Sequence, residues 1–296
     1  MTLRKTDHEI QPAGFLLHLS DDWSVLSASA NVADFLPCDP AALIGQPLTS
    51  LFSDDAIHTL RNRLALLRDP AGIERVFNCR LQEGGKGFDV AIHCVGEDII
   101  IEAEPSSGKS YGDFTGTLRA MIGQLGLATG LAASLKLGAR QLRSLTGVDR
   151  VLIVWHRDAG DEVVGECSRS GLESLLGQKF DRDAFLAGTS GLQVIADVEA
   201  SPAALAPEEI APDLSRAVLR VAAPSELALL RRLDARAAMG IGLTVGGQPW
   251  GAVAFHHHLP RSLSFERRAM IEVFAVMLAQ QIEISKLRAA LPPSTG

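Results

Sequence analysis

Short apolar runs separated by polar turns fill residues 13–105. AGFLLHLS (13–20) and WSVLSAS (23–29) read as two strands opening an antiparallel sheet. From Asn31 to Asp69 the spacing turns helical, with Val32, Phe35 and Leu36, then Ile57, Leu60, Leu64 and Leu67. IERVFNCRLQE and FDVAIHCVGEDIIIEAE bring back the strand pattern and supply three more strands, turning at EGGKG and at GED.

The stretch PSSGKSYGDFTG (105–116) is rich in Gly and Ser and reads as a linker. Its GKS is not a phosphate loop, because Ala103 stands where such a loop needs its first glycine. A long helix is predicted over about 117–146, with Leu118, Ile122, Leu125, Leu131, Leu135, Leu142 and Leu145 on one side. Gly123, Gly126, Gly130 and Gly138 each weaken it by about 1 kcal/mol relative to Ala, which close helix–helix contact or a local break would explain.

Strand patterns return in RVLIVWHR, EVVGECSR, LQVIADV and AMGIGLTVGGQPWGAVAFHHH, the last a hairpin turning at Gly246-Gly247. PSELALLRRL reads as a short helix between sheet segments. A final helix starts near Ser264, a capping residue followed by Glu266, and Met270, Phe274, Met277, Leu278 and Ile282 mark its apolar stripe. The organisation is therefore α+β, with a first domain over 1–105, a linker over 106–116, a second domain over 117–291 and a tail over 292–296.

At 296 residues the chain is long enough for two cores, and it has no apolar run that would cross a bilayer and no signal-peptide core in MTLRKTDHEI. A cytoplasmic protein without membrane contact is expected. Net charge is −7 with no strong Lys/Arg cluster, which argues against a nucleic-acid partner. Cys38, Cys79, Cys94 and Cys167 are scattered without metal-type spacing and read as reduced, mostly buried thiols. No GxSxG, HExxH or kinase motif occurs, and the reading leans away from an enzyme.

The run His256-His257-His258 is the most conspicuous chemistry. On a strand, His256 and His258 share one face and His257 takes the other. No spaced His pair or Cys lies near in sequence, so no metal site is expected.

Two strands, helices and three strands follow the order of a PAS domain, and a sheet flanked by long N- and C-terminal helices has the outline of a GAF domain. IQPAGFLL (10–17) resembles the opening of the PAS domain of bacterial phytochromes. AVLRVAAPSELALLRRLDARAAMGIGL resembles their pattern SVLRSxSPxHxxYLRNMGVxASMSISL, and GGQPWGAVAFHHHLPRSLSFERR resembles G-x-LWGLIACHHxTPRxVxxExR. The resemblance covers nearly the whole chain. It implies a PAS–GAF module that holds a linear tetrapyrrole, a figure-of-eight knot through a GAF loop, and homodimers built on the long helices. By position it places Arg220 against a propionate and His256 against the chromophore.

The chain departs from that pattern where bilin chemistry resides. No cysteine precedes IQP, and Ser225 stands where the other attachment cysteine would be. A hydroxyl does not match a thiolate as nucleophile, so no covalent bilin is expected. Glu226 replaces the histidine after SP, Leu229 and Val154 replace tyrosines, and Ala238 and Gly240 replace serines that hold a propionate. Asp183 aligns loosely with the aspartate of the shortened PxSDIP segment. Glu226, Asp183 and His256 form either an acid–base cluster or, as favoured here, a charged surface triad. Three functions follow: a signalling module acting on an unidentified partner protein without covalent bilin, a noncovalent biliverdin or haem sensor, or an enzyme acting on a tetrapyrrole.

Overall fold

The computed structural model describes residues 8–68, 72–107, 113–181, 185, 191–210 and 212–290. The chain divides into two compact units, residues 1–110 with 199–223, and residues 111–198 with 224–296. The segment between Glu199 and Ala223 therefore packs with the first unit, although it interrupts the sequence of the second.

The first unit is built on a sheet of seven strands, β1 (Glu9–Ile10), β2 (Phe15–Leu19), β3 (Val25–Ser29), β4 (Glu74–Arg80), β5 (Gly87–Val95), β6 (Asp98–Pro105) and β11 (Ala203–Ala206). Their order across the sheet is β1-β11-β3-β2-β6-β5-β4, all pairs antiparallel. The helical spacing over 31–69 resolves into 3-10 turns at Ala30–Asp34 and Leu48–Ser50, a short α1 (Pro40–Leu43) and α2 (Asp54–Leu66). Gly45, at φ +75°, and Pro47 interrupt a longer helix, and Ser53 caps α2 by accepting from the Ala56 amide.

Every residue of β2 is buried, because both faces of this sheet are covered. One face carries Phe15, Leu17, Leu19 and Ile101 against Ile57 and Leu60 of α2. The other carries Leu16 and Ile100 against Leu205, Leu214, Ala217 and Leu219 of the inserted segment. Glu102, 1% exposed, secures that second layer: its carboxylate accepts the amides of Val218 (3.1 Å) and Leu219 (2.7 Å). The N-terminal strand lies between two stretches of the same segment. Ile10 pairs with Ala203 on one side and bridges Arg220 on the other, where Gln11 donates its amide to Leu219 O and Nε2 to Arg220 O. The knot implied by the resemblance depends on residues 1–7, which lie outside the described residues.

The second unit carries a six-stranded antiparallel sheet formed by β7 (Arg150–Arg157), β8 (Gly160–Ser168), β9 (Lys179–Phe180), β10 (Leu192–Ile195), β12 (Ala237–Val245) and β13 (Gln248–His257), in the order β10-β12-β13-β7-β8-β9. The β12–β13 hairpin turns at Gly246 and Gly247, both at positive φ, as its sequence requires. The single helix predicted over 117–146 is two helices, α3 (Phe114–Gly126) and α4 (Leu131–Thr146). Gly130, at φ +85°, makes the break. Gly138 serves the other purpose: a Cβ there would lie 2.9 Å from Leu278 Cδ1, so α4 approaches α6 (Phe265–Ala290) closely. Both helices cover the Ile153 face of the sheet, while α5 (Pro224–Arg232) lies on the Leu152 side. Ser264 caps α6 by accepting the Arg267 amide. No described helix is long and apolar enough to cross a membrane.

Replacing Glu102 by Ala leaves two buried amides without an acceptor and should destabilise the first unit by about 3 kcal/mol. Hydrogen exchange reads this directly: the amides of 214–220 should exchange faster in Glu102→Ala, with β7 and β13 unchanged. Unaltered protection of Val218 and Leu219 would show that the carboxylate does not hold the segment.

Candidate functional site

The sheet of the second unit presents one face that unites most of the positions singled out in the sequence. Cross-strand partners share a face, so His256 stands beside Arg150 and Ala238, Ala254 beside Leu152 and Gly240, and Ala252 beside Val154. Leu152, Val154, Val163 and Ala254 join Leu175, Phe185 and Leu229 in one buried cluster, with Phe180 and Leu233 packed against it. Leu229 comes from the inner side of α5, so the residue replacing a tyrosine fills the space over the sheet with an aliphatic side chain. Phe185 contributes an edge-to-face contact with Phe180, ring centroids 5.0 Å apart.

His256 lies at the end of this face, 5% exposed. Burial, with the nearby Arg150 guanidinium, pushes its pKa down to about 4. Its Nδ1 has no hydrogen-bond partner among the described residues. Arg150 is engaged elsewhere, donating to Ser168 Oγ (3.3 Å) and Glu173 O, with Glu166 at 3.5 Å. Glu166 in turn accepts from Ser168, Ser174 and the Leu175 amide. That network fixes the loop that carries Leu175 into the apolar cluster.

The remaining sequence candidates divide. Ser225 is exposed on α5 and lines an open groove of about 550 Å³ together with Lys179, Phe180, Asp181, Leu229 and Arg232. Glu226, one residue on, is buried. The favoured charged surface triad is therefore not what forms: Glu226 and His256 are both interior, and the charge acting on His256 is Arg150. Asp183 lies outside the described residues. Arg220 belongs to the first unit, where its carbonyl accepts from Gln11. Of the four thiols, only Cys79 is buried, and burial raises the pKa of Cys38, Cys79 and Cys94, away from thiolate character.

The alternation predicted for the histidines ends one residue early. β13 stops at His257, and His258 leaves the strand, so His257 and His258 both turn to Asp149. The expectation that no further ligand type lies near holds only along the sequence; Asp149 arrives from the start of β7.

His93 in the first unit and His256 in the second are each lowered by burial from 6.5 to about 4. Between those values the unfolded chain binds more protons than the folded one. Stability is thus fully present above pH 6.5 and is lost as the pH falls toward 4. In His256→Gln, the melting temperature of the second unit should lose part of its slope over that range while the first keeps its own; identical slopes in variant and parent would contradict the assignment.

The PAS fold family matches residues 5–106 and the GAF domain family residues 130–285. A bacteriophytochrome of Pseudomonas aeruginosa is 31% identical over 289 residues, covering 93% of this chain and 39% of that protein. The phytochrome-like protein Cph1 of Synechocystis is 26% identical, over 94% of this chain and 39% of the relative. The chain thus spans about two fifths of the length of these curated relatives. The crystal structure of the chromophore-binding domain of the bacteriophytochrome RpBphP3 from R. palustris superimposes with a TM-score of 0.83 at 26% identity, covering 96% of this chain and 98% of that one. With PAS residues preceding a GAF match over more than half its length, the chain belongs to the GAF domain family and is a phytochrome-like PAS–GAF module.

Proposed function

We propose that this chain is a phytochrome-type sensory and signalling module that works through protein contacts, with a second copy of itself first, and holds no bilin covalently. One observation carries the reading: α6 has two apolar faces. Met270, Phe274, Leu278 and Ile282 are buried, yet Val273, Val276, Ile284 and Leu287 are exposed, Leu287 by 62%. At 3.6 residues per turn these four fall within an arc of about 80° on the side away from the buried set. A helix apolar on both sides needs a partner for the second, and a parallel or antiparallel copy of α6 supplies one of matching character.

The chemistry of attachment supports the same reading. Ser225 is a hydroxyl at the position where the resemblance calls for a thiol, and the space over the sheet is taken by Leu229 and Phe185. A second reading, noncovalent binding of a tetrapyrrole such as biliverdin or haem, rests on the groove beside α5. Its volume of about 550 Å³ suits a ligand of that size, and Lys179 and Arg232 would pair with propionates.

Absorbance of the protein mixed with biliverdin, and separately with haem, tests both readings. Unshifted free-pigment spectra are expected. A shifted band that reverts on denaturation would select the noncovalent sensor, and a band that stays with the denatured chain would overturn both. Independently, Val276→Lys with Leu287→Lys should turn a dimer into a monomer by light scattering at micromolar concentration, since each lysine would place an unpaired charge in the contact. A dimer that survives the double change would remove α6 as the interface.

A further inference from the structure

We propose that Asp149, His257 and His258 form a binding site for a divalent transition cation of the zinc class. The three come together where α4 hands over to β7 and where β13 leaves the sheet, on the side of the strand end away from His256. Asp149 Oδ2 lies 2.9 Å from His257 Nδ1 and 2.5 Å from His258 Nδ1. The potential ligand atoms of all three residues fall within 4.8 Å of one another. Donors around one tetrahedral zinc, at 2.0–2.1 Å from the metal, stand about 3.3 Å apart, so small rotations of two rings bring this set to coordination distance.

The local chemistry suits a cation. His257 Nδ1 is buried and, despite its closeness to Asp149, is not aligned for a hydrogen bond. The Asp149 carboxylate is also in hydrogen-bond contact with the His258 ring, 2.5 Å from Oδ2 to Nδ1. The His258 amide donates to Oδ2 at 2.9 Å, which holds the acid in place as a ligand. On binding, each ring carries its proton on Nε2 and offers Nδ1 to the metal.

Two imidazoles and one carboxylate, with water completing the sphere, form a donor set of the type zinc takes in three-ligand sites. Two guanidiniums temper the affinity. Arg169 Nε is 3.3 Å from the other Asp149 oxygen, and Arg261 acts electrostatically on His257. A bound ion would tie the foot of α4 to the strand end that leads into α6, and so stiffen the base of both helices. This site lies apart from the α5 groove and from the exposed stripe of α6, so its test is independent of the function proposed above.

Co²⁺ serves as the probe for the untagged full chain after chelator treatment. Titration should give a saturable visible ligand-field band at one ion per chain, displaced by Zn²⁺, and Zn²⁺ should raise the melting temperature of the second unit. His258→Ala should weaken Co²⁺ binding at least tenfold and abolish the Zn²⁺ stabilisation. Because the His258 side chain is 39% exposed, the metal-free melting temperature should stay close to that of the parent. His257→Ala, read by the same titration, provides a second variant. Equal Co²⁺ affinity in parent and His258→Ala, or no band at millimolar Co²⁺, would overturn the site and leave a hydrogen-bonded Asp–His–His cluster.

Discussion

A buried carboxylate accepting two backbone amides is the constraint on which the first unit depends. Glu102 sits on the inner strand β6, with nearly no water available, and takes hydrogen bonds from Val218 and Leu219. A charge so placed is tolerable only when its oxygens are satisfied. The inserted segment meets that need and in return obtains acceptors for amides that would otherwise be orphaned. Around this exchange, Leu16 and Ile100 meet Leu205 and Leu219, Arg216 donates to the Cys94 carbonyl, and Gln11 closes the edge beside Arg220. The cover over the second face of β2 and the placement of Arg220 beside Gln11 go with it.

In the second unit the balance differs, because its sheet face is governed by apolar packing. Where the family resemblance expects hydroxyls, rings with polar tips and a thiol, the chain has Val154, Leu229, Ala238, Gly240 and Ser225. Val154 and Leu229 pack with Leu152 and Ala254, and His256 keeps a buried Nδ1 at the end of this face. The polarity has moved to the edges of the domain, into the Arg150–Glu166–Ser174 network and the Asp149 cluster.

Much of this was legible in the chain. Periodicity located most strands, the Gly246-Gly247 turn and the start of α6, since each is set by local chemistry. Periodicity could not choose among four glycines in 117–146, because the leucine spacing continues past Gly130 and only the backbone dihedral distinguishes the break. The stretch SPAALAPEE reads as a loop, and its β11 forms only because β1 and β3 offer edges from far away in sequence. The histidine run was visible, but its meaning depends on Asp149, 109 residues from His258. Burial of Glu226 was likewise hidden, as a carboxylate beside a serine at the start of a helix looks solvent-facing.

The inserted segment also bears on how the protein is made. A ribosome that has released the first 110 residues has produced β2, β6 and the helices on one face, but not the strip that covers the other. Leu16, Ile100 and Glu102 then wait, with an apolar and an acidic surface uncovered, until residues 199–223 emerge. The N-terminal domain, although first in sequence, is completed late. Its borders in space are not borders along the gene, and a cut after residue 110 would yield a half-clad sheet rather than an independent PAS domain.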